Sequence, residues 1–327
     1  MNLLARLLIS CLAMLTVMTG CASNGDSTPE LLNRDGYVVS RNYAGLEDRL
    51  RSFVADNQAH TGIAMIINGK DTVSVNGNRN FPMMSVFKFP LALAVAQWMD
   101  AHGMSPGDSI SIVEENLLED TYSPMLKKYG KGLKGLPVRE LLEWSLVESD
   151  NNAADVLLKL IGGPAAAMGL LKEVTKPGNI SIGASEANMH RDQRLSRLNS
   201  STPLAMAALF DNFDSVLKYR SRSLAEIAAM IERCNTGTDR LAAPLKSYNA
   251  TIGHKTGTGF DTPAGGISAL NDCGYIHLPD GTRYSIAVFI ADSPYDIDHT
   301  AKMIADISAM VLEELTEKKQ CVGQAHH

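Results

Sequence analysis

The sequence of 327 residues has few aromatic residues, little cysteine and no cluster of basic residues. Its five cysteines contain no Cys-x-x-Cys spacing, and its eight histidines form neither a His-x-His nor a His-Glu-x-x-His motif, so no metal site is indicated. A net charge of -6 without a Lys/Arg-rich run argues against nucleic acid as a partner. We therefore expect no metal, no other cofactor and no nucleic-acid partner.

What is present is the composition of an ordinary globular protein. Hydrophobic residues make up 45% of the chain and charged residues 20%. The length suits one large domain in two parts or two smaller domains, each with a sizeable core.

The N-terminus has the pattern of an export signal. Arg6 is the only charged side chain before the apolar run Leu7–Met18, which is too short to cross a bilayer as a helix. Residues 1–21 are therefore predicted to be a signal peptide, and the polar residues 22–35 a flexible tether. The mature protein is expected to be exported to the periplasm.

The end of this signal resembles the lipobox of bacterial lipoproteins. Met18-Thr19-Gly20-Cys21 places a cysteine after a small residue, which implies lipidation of Cys21 and a membrane anchor. The alternative is simple cleavage after Ala22, because Gly20-Cys21-Ala22 is also a small-x-small site. Of the later cysteines, Cys234, Cys273 and Cys321, any two could form one disulfide, and the sequence does not choose between them.

The order of predicted elements is sheet, helical insert, sheet. A helix over 43–57 precedes two short strands joined by Asn68-Gly69, a hairpin signal. We predict an α/β domain from 36–80 and 234–320 and a helical domain from 81–233, with the site in the cleft between them. Inside the insert, helices are predicted at Val86–His102, Pro137–Ser145, Ala153–Ile161, Ala165–Val174, Pro203–Leu217 and Leu224–Arg233, and after it strands at Thr251–Thr258, Gly266–His277 and Tyr284–Ile290 and a helix at Ala301–Lys318.

The first motif that carries chemistry is Ser85-Val86-Phe87-Lys88. Residues three apart share one face of a helix, so the hydroxyl and the amine are neighbours, and a basic group is one way to activate a serine. Pro90 follows five residues after Ser85, where its ring conflicts with a regular first turn. We predict a tightened or kinked turn there.

Two further motifs are ambiguous when each is taken alone. Ser149-Asp150-Asn151 precedes an apolar helix and has the composition of a helix cap. Lys255-Thr256-Gly257-Thr258 lies in a β-rich stretch and could be an edge strand with a solvated lysine.

Together and in this order, Ser-x-x-Lys, Ser-Asp-Asn and Lys-Thr-Gly are the signature set of class A β-lactamases and penicillin-binding proteins. The chain resembles that superfamily from about Tyr43 to about Glu317. The resemblance implies an α/β plus all-α protein with the β-lactamase/transpeptidase-like fold, in which helices flank an antiparallel sheet and a helical domain is inserted. It also implies a β-lactam as the small-molecule partner and a monomer as the working form.

The resemblance further assigns roles to the motif residues. Ser85 is the expected nucleophile, Lys88 its basic neighbour and Ser149 the relay of a proton to the departing nitrogen. The backbone N–H groups of Ser85 and Thr258 are expected to hold the oxyanion. Substrate-binding roles are implied for Asn151, Tyr122, Lys255, Thr256, Thr258 and Arg240, the last as a second cation for the substrate's carboxylate.

Glu186 separates a hydrolase from its relatives that only acylate. A β-lactamase must clear the acyl-enzyme with water, and Glu186 lies between the second and third motifs at the family's spacing for the general base. A DD-peptidase or a penicillin-binding sensor lipoprotein, the alternative functions, would not need it. Ala184 and His190 resemble the extended-spectrum cephalosporinase branch, in which the loop is braced differently, and His190 is a candidate for holding the hydrolytic water. We therefore predict a serine β-lactamase that favours cephalosporins.

Overall fold

The computed structural model describes residues 43–130 and 132–324, with side chains as far as residue 317. The predicted signal peptide, tether and lipidated Cys21 lie outside the described residues, as does the side chain of Cys321. Cys234 and Cys273 are free thiols. Among the helices of the described part of the chain, no single one is long and apolar enough to cross a membrane.

The strands of the described residues form one large sheet and two small ones. The large sheet has the order β2-β1-β10-β9-β8, and every neighbouring pair in it is antiparallel. The strands are β1 (His60–Ile67), β2 (Asp71–Val75), β3 (Phe81–Pro82), β4 (Ser109–Ser111), β5 (Gly135–Pro137), β6 (Ile180–Ser181), β7 (Ser200–Ser201), β8 (Thr251–Thr258), β9 (Ile267–His277) and β10 (Arg283–Ser293).

The turn between β1 and β2 has the geometry that its sequence predicts. Asn68 and Gly69 both have positive φ, 52° and 68°, and the Lys70 N–H closes the turn by donating to the Ile67 carbonyl at 3.0 Å. Three residues, 68–70, thus connect the paired Ile67 and Asp71. The predicted hairpin is therefore confirmed.

The predicted helices are present, with ends that differ by a few residues. Pro90 has the predicted effect, because a tight 3-10 turn, Met84–Phe87, precedes the regular helix that begins at Lys88. The sequence did not predict the short helices Pro124–Tyr129 and Glu186–Arg191. The helices are α1 (Ala44–Asp56), α2 (Lys88–His102), α3 (Pro124–Tyr129), α4 (Val138–Leu146), α5 (Asn151–Leu160), α6 (Pro164–Val174), α7 (Glu186–Arg191), α8 (Pro203–Ser215), α9 (Arg222–Ile231) and α10 (Ile297–Gln324).

Apolar cores lie on both faces of the large sheet. One face packs against α1 and α10, and the other packs against α8 and the remaining helices. Helix α2 is buried on all sides through most of its length, as expected of a helix that is apolar all round. Phe89 of α2 stacks on Phe210 of α8 with ring centroids 4.1 Å apart. The predicted domain bounds at residues 80 and 233 stay predictions.

Two residues of the sheet fix the 3-10 turn that carries Ser85. The side-chain amide of Asn271, fully buried on β9, donates to the carbonyls of Pro82 and Met83 at 2.9 and 3.0 Å. Gly257 on β8 permits the same close approach, because a Cβ there would lie 2.5 Å from the Met83 carbonyl oxygen. The glycine of the third motif therefore lets the strand pass directly behind the turn that carries the first motif.

Candidate active site

The three motifs meet in one cleft of about 480 Å³. Two other cavities in the described residues are larger, about 710 and 830 Å³, but neither contains a residue of these motifs. The cleft is lined by Ser85, Asp120, Thr121, Tyr122, Ser149, Asn151, Glu186, Met189, His190, Thr236, Thr256, Thr258 and Phe260.

The backbone is held in uncommon conformations on both sides of the cleft. Met84, the residue before Ser85, has φ 47°, and Ser149 has φ 59°. Non-glycine residues in this region cost of order 1 kcal/mol or more and persist where surrounding contacts impose them. The bonds from Asn271 impose it at Met84, and the buried Asp150 imposes it beside Ser149.

Lys88 connects the first two motifs with Glu186. Its side chain is fully buried, and its Nζ donates to the Ser149 carbonyl at 2.7 Å and to Asn151 Oδ1 at 2.6 Å. Nζ also lies 2.9 Å from Glu186 Oε1, a distance typical of an ion pair, although the angle is not that of a hydrogen bond. A buried charge is costly unless it is paired and hydrogen-bonded, and these three oxygens meet that requirement.

The Ser-Asp-Asn motif combines a helix cap with two cleft residues. Asp150 caps α5 by accepting from the Ala153 N–H at 2.8 Å, and it also accepts from Ser123 and from the Met125 N–H. Burial raises the pKa of Asp150 in spite of these hydrogen bonds. The capping interpretation is therefore correct for the middle residue alone, while Ser149 and Asn151 line the cleft.

Lys255 is not a solvated lysine on an edge strand. Although β8 is the edge strand of the sheet, the Lys255 side chain is fully buried, and its Nζ donates to Ser149 Oγ at 2.9 Å and to the Thr256 carbonyl at 3.1 Å. Burial, with the charges of Lys88 and Arg240 acting in the same direction, lowers the pKa of Lys255 to about 8. The second and third motifs are thus joined by a hydrogen bond.

Arg240 lies behind β8 and reaches the cleft through Thr258. Its guanidinium donates to Thr258 Oγ1 at 2.8 Å and to the carbonyls of Gly257 and Asn271 at 3.2 and 3.0 Å. The side chain of Thr258 is exposed to the cleft, whereas Arg240 is buried. The role of Arg240 toward a substrate stays a prediction, and so does the oxyanion site at Ser85 and Thr258.

Glu186 is the first residue of α7, and a side chain of another helix fixes its backbone. The Asp155 carboxylate, on α5, accepts from the N–H groups of Glu186 and Ala187 at 2.7 and 2.8 Å. Burial, assisted by the charge of Glu186, raises the pKa of Asp155 to about 6. Asp155 lies one helical turn after Asn151, so one face of α5 contacts both Lys88 and the glutamate loop.

Asn199 braces the same loop from the other end. Its buried side chain accepts from the N–H groups of Gly183 and Ala184 at 2.8 and 2.9 Å and donates to the Ala184 carbonyl. These bonds and those of Asp155 supply the different bracing expected from Ala184.

His190 and Tyr122 lie at the mouth of the cleft. His190 Nε2 is 2.9 Å from Asp120 Oδ2, on the opposite wall, and this contact holds the pKa of Asp120 below its usual range. Tyr122 is 52% exposed, as expected of a residue at the entrance. The water-holding role of His190 stays a prediction.

Sequence reasoning did not find Asp155, Asn199, Asn271 or Thr236. The first three hold backbone groups of distant segments, and none belongs to one of the three motifs. The only local signal is the spacing of Asp155 after Asn151, which places both side chains on one helical face.

Comparisons with known proteins agree with this geometry. A sequence model of a family described as the β-lactamase enzyme family matches residues 45–315. A β-lactamase of Phocaeicola vulgatus is 33% identical over 273 residues, which cover 83% of this chain and 85% of that protein. β-Lactamase VEB-1 of Pseudomonas aeruginosa is 35% identical over 266 residues, which cover 80% of this chain and 87% of that protein.

Solved structures share the fold. A representative of class A β-lactamases from Bacteroides cellulosilyticus has a TM-score of 0.79 and 31% identity, over 84% of this chain and 99% of that one. The TLA-1 extended-spectrum β-lactamase has a TM-score of 0.80 and 30% identity, over the same shares. The predicted fold is therefore confirmed. With sequence and structure matched over most of its length, the chain belongs to the class A serine β-lactamases, hydrolases that open the β-lactam amide.

Proposed function

We propose that this β-lactamase forms an acyl ester on Ser85 and clears it with a water molecule activated by Glu186. The observation that carries the proposal is the position of the Glu186 carboxylate, 2.9 Å from the Lys88 ammonium and in the same cleft as Ser85. A base for the hydrolytic water and the basic neighbour of the nucleophile are thus adjacent.

In the acylation step, Ser85 Oγ attacks the carbonyl carbon of the lactam and the ring C–N bond breaks. The proton of Ser85 passes to the Glu186 carboxylate, or to Lys88 in its neutral amine form, and a proton reaches the departing nitrogen through Ser149. Ser149 Oγ accepts from Lys255, so its own hydrogen is free to be directed at that nitrogen. Lys255 and Thr256 bind the substrate's carboxylate. Asn151 Nδ2 donates one hydrogen to Thr121 Oγ1 at 2.9 Å and keeps its second hydrogen for the substrate's side-chain amide.

In the deacylation step, Glu186 takes a proton from water as the water oxygen attacks the ester carbonyl. The bond to Ser85 Oγ then breaks, and the serine regains a hydrogen. The Asp155 carboxylate and Asn199 support this step indirectly, because they fix the backbone on which Glu186 is carried.

The replacement Glu186→Ala is expected to separate the two steps. Deacylation should slow by at least about a hundredfold, the usual contribution of a general base. Mass spectrometry after mixing with a cephalosporin should detect a persistent adduct on this variant and only free enzyme for the parent. Ser85→Ala, the control, should form no adduct. A parent enzyme that stays acylated for hours would contradict the hydrolytic mechanism.

We propose further that the enzyme favours cephalosporins. Thr258 presents a hydroxyl to the cleft, and Arg240 donates to that hydroxyl, so its oxygen is oriented by a cation. Two relatives are named as extended-spectrum β-lactamases: TLA-1, and PER-1 of Pseudomonas aeruginosa, which is 30% identical over 285 residues. This naming supports an extended substrate spectrum for this chain.

Thr258→Val should lower kcat/KM for a cephalosporin by about tenfold, the value of one hydrogen bond to a charged group, with a smaller loss for a penicillin. The substitution keeps the side-chain shape and removes the hydroxyl. Thr251→Val, at the exposed opposite end of β8, is the matched control. Equal losses for both substrate classes in steady-state kinetics would contradict the proposed preference.

His190 is proposed to help to hold the hydrolytic water. It lies four residues after Glu186 on α7, so both side chains are on one face of that helix, and both line the cleft. Its contact with Asp120 also links the two walls, which is a competing, structural role.

Paired substitutions distinguish these roles. His190→Asn should slow deacylation by about five- to tenfold if the ring holds the water. Asp120→Asn weakens the link between the walls but leaves the ring in place, so the deacylation rate should stay near that of the parent. Stopped-flow measurement of acyl-enzyme decay provides both rates. Equal slowing in the two variants would assign His190 a purely structural role.

We propose that the protein is exported to the periplasm, anchored through a lipid on Cys21 and active as a monomer. The N-terminal sequence supports the export and the anchor. The monomer is the working form that the resemblance to class A β-lactamases implies.

Cys21→Ser should move the protein from the membrane fraction to the soluble periplasmic fraction, because serine cannot carry the thioether-linked lipid. Ser27→Ala, within the predicted tether, is the control and should leave the protein in the membrane fraction. Intact-mass measurement of the parent should find a lipidated N-terminus at Cys21. A parent mass that begins at Ser23 without lipid would show simple cleavage after Ala22.

A further inference from the structure

A hydrogen-bonded chain of side chains runs behind β8 and ends in the cleft. His254 and Thr256 are two residues apart on this strand, so they point to the same face of the sheet. The segment that contains Cys234 and Thr236 lies along that face. Cys234 Sγ is 3.3 Å from Thr236 Oγ1, and the thiol lies beside His254.

The inner end of the chain is a buried charge pair. His254 Nδ1 is 2.8 Å from Asp272 Oδ1, and both side chains are almost completely buried. Although burial disfavours a charged imidazole, the charge of Asp272 and the hydrogen bond to it raise the pKa of His254 to about 10. His254 is therefore an imidazolium at neutral pH and has two N–H groups to donate.

The outer end of the chain is a residue of the proposed carboxylate site. Thr236 Oγ1 is 2.5 Å from Thr256 Oγ1, and both threonines line the cleft. The hydroxyl of Thr256 therefore has two competing directions for its hydrogen, toward Thr236 or toward an anion in the cleft.

The thiol in the middle of the chain titrates near physiological pH. Burial opposes its ionisation, but the interaction with His254 and the charges of His254 and Lys255 outweigh burial and lower the pKa of Cys234 to about 6. The charged groups that face the thiol are His254 and Lys255 on β8, Arg240 on the preceding turn and, through His254, Asp272 on β9.

The direction of the hydrogen bonds in this chain depends on whether the Cys234 thiol is neutral or ionised. A neutral thiol can donate to Thr236, either at its Oγ1, 3.3 Å away, or at its carbonyl oxygen, 3.9 Å away. The Thr236 hydrogen is then free to be donated to Thr256, and the Thr256 hydrogen to an anion in the cleft. A thiolate only accepts, so it takes the hydrogen of Thr236, and the hydrogen of Thr256 is then drawn toward Thr236. The thiolate also adds a negative charge near the site.

We propose that Cys234 is a positioning residue that controls binding of the substrate's carboxylate by setting, through Thr236, the direction of the Thr256 hydroxyl. This inference rests on the proposed function, in which Thr256 and Lys255 receive that carboxylate. The carboxylate is bound better when the thiol is neutral. Affinity for a carboxylate-bearing lactam therefore falls as the pH rises through about 6.

The test measures equilibrium binding in the Ser85→Ala background, where the lactam is not consumed. The Kd of a cephalosporin, from calorimetry, should rise by about tenfold between about pH 5 and pH 7, the change expected from one hydrogen bond to a charged group. Adding Cys234→Ser should remove this rise and keep the tighter value, because a serine hydroxyl stays a donor throughout the range. Cys234→Ala should likewise give a flat, tight Kd, because alanine cannot accept the Thr236 hydrogen, which then stays directed toward Thr256.

Cys273→Ala is the matched control. This thiol lies one residue after Asp272 on β9, and burial raises its pKa well above the usual range, so the variant should retain the rise in Kd. Asp155 also titrates near pH 6, but it does so in every variant, and the difference between the parent and Cys234→Ser isolates the thiol. The thiolate absorbance of Cys234, taken as parent minus Cys234→Ser, should appear with a midpoint near pH 6.

The outcomes separate this inference from the proposed function. Hydrolysis by the parent together with a Kd that is flat across this range, or that rises equally in Cys234→Ser, overturns the role of Cys234 and leaves the function intact. A parent that stays acylated overturns the hydrolytic mechanism while the binding results still decide the inference. Absence of lactam binding at any pH overturns both.

Discussion

The buried ammonium of Lys88 is the interaction on which the rest of the site depends. A fully buried cation must be surrounded by oxygen ligands, and here these come from Ser149, Asn151 and Glu186. The three ligands lie on two segments that are far from Lys88 along the chain. Removing this charge would leave a buried glutamate without its cation, which is why the nucleophile's neighbour and the hydrolytic base form one unit.

Polar side chains outside the three motifs hold the backbone around that unit. Asn271 fixes the turn before Ser85, and Asn199 with Asp155 fixes the loop that carries Glu186. Each binds at least two backbone groups that would otherwise be buried without partners, and such groups cost about 1–3 kcal/mol each when unsatisfied. The positive φ angle of Met84 persists because the bonds from Asn271 oppose the strain.

Much of the fold and several site residues could be predicted from the sequence, for reasons that are local. Pro90 cannot continue a regular turn, so the 3-10 turn at Ser85 follows from the chain itself. Asn68-Gly69 likewise specifies its own hairpin. The alternative interpretation of Lys255 as a solvated lysine is wrong, because the segment that carries Ser149 packs against its side chain and buries it. The residue pattern along β8 does not predict this contact with a distant segment.

The sequence by itself determined which groups are present and how near neighbours are arranged: a serine and a lysine one turn apart, an aspartate at a helix start, a glycine where a strand must pass close. The tertiary structure decided the electrostatic character of those groups. Burial lowers the pKa of Lys255 to about 8, whereas the pKa of Cys234 is lowered to about 6 against the effect of burial, because folding brings His254 and Lys255 beside the thiol. Burial and opposing charge are properties of segments that meet only in the folded chain, so no spacing along the sequence contains them.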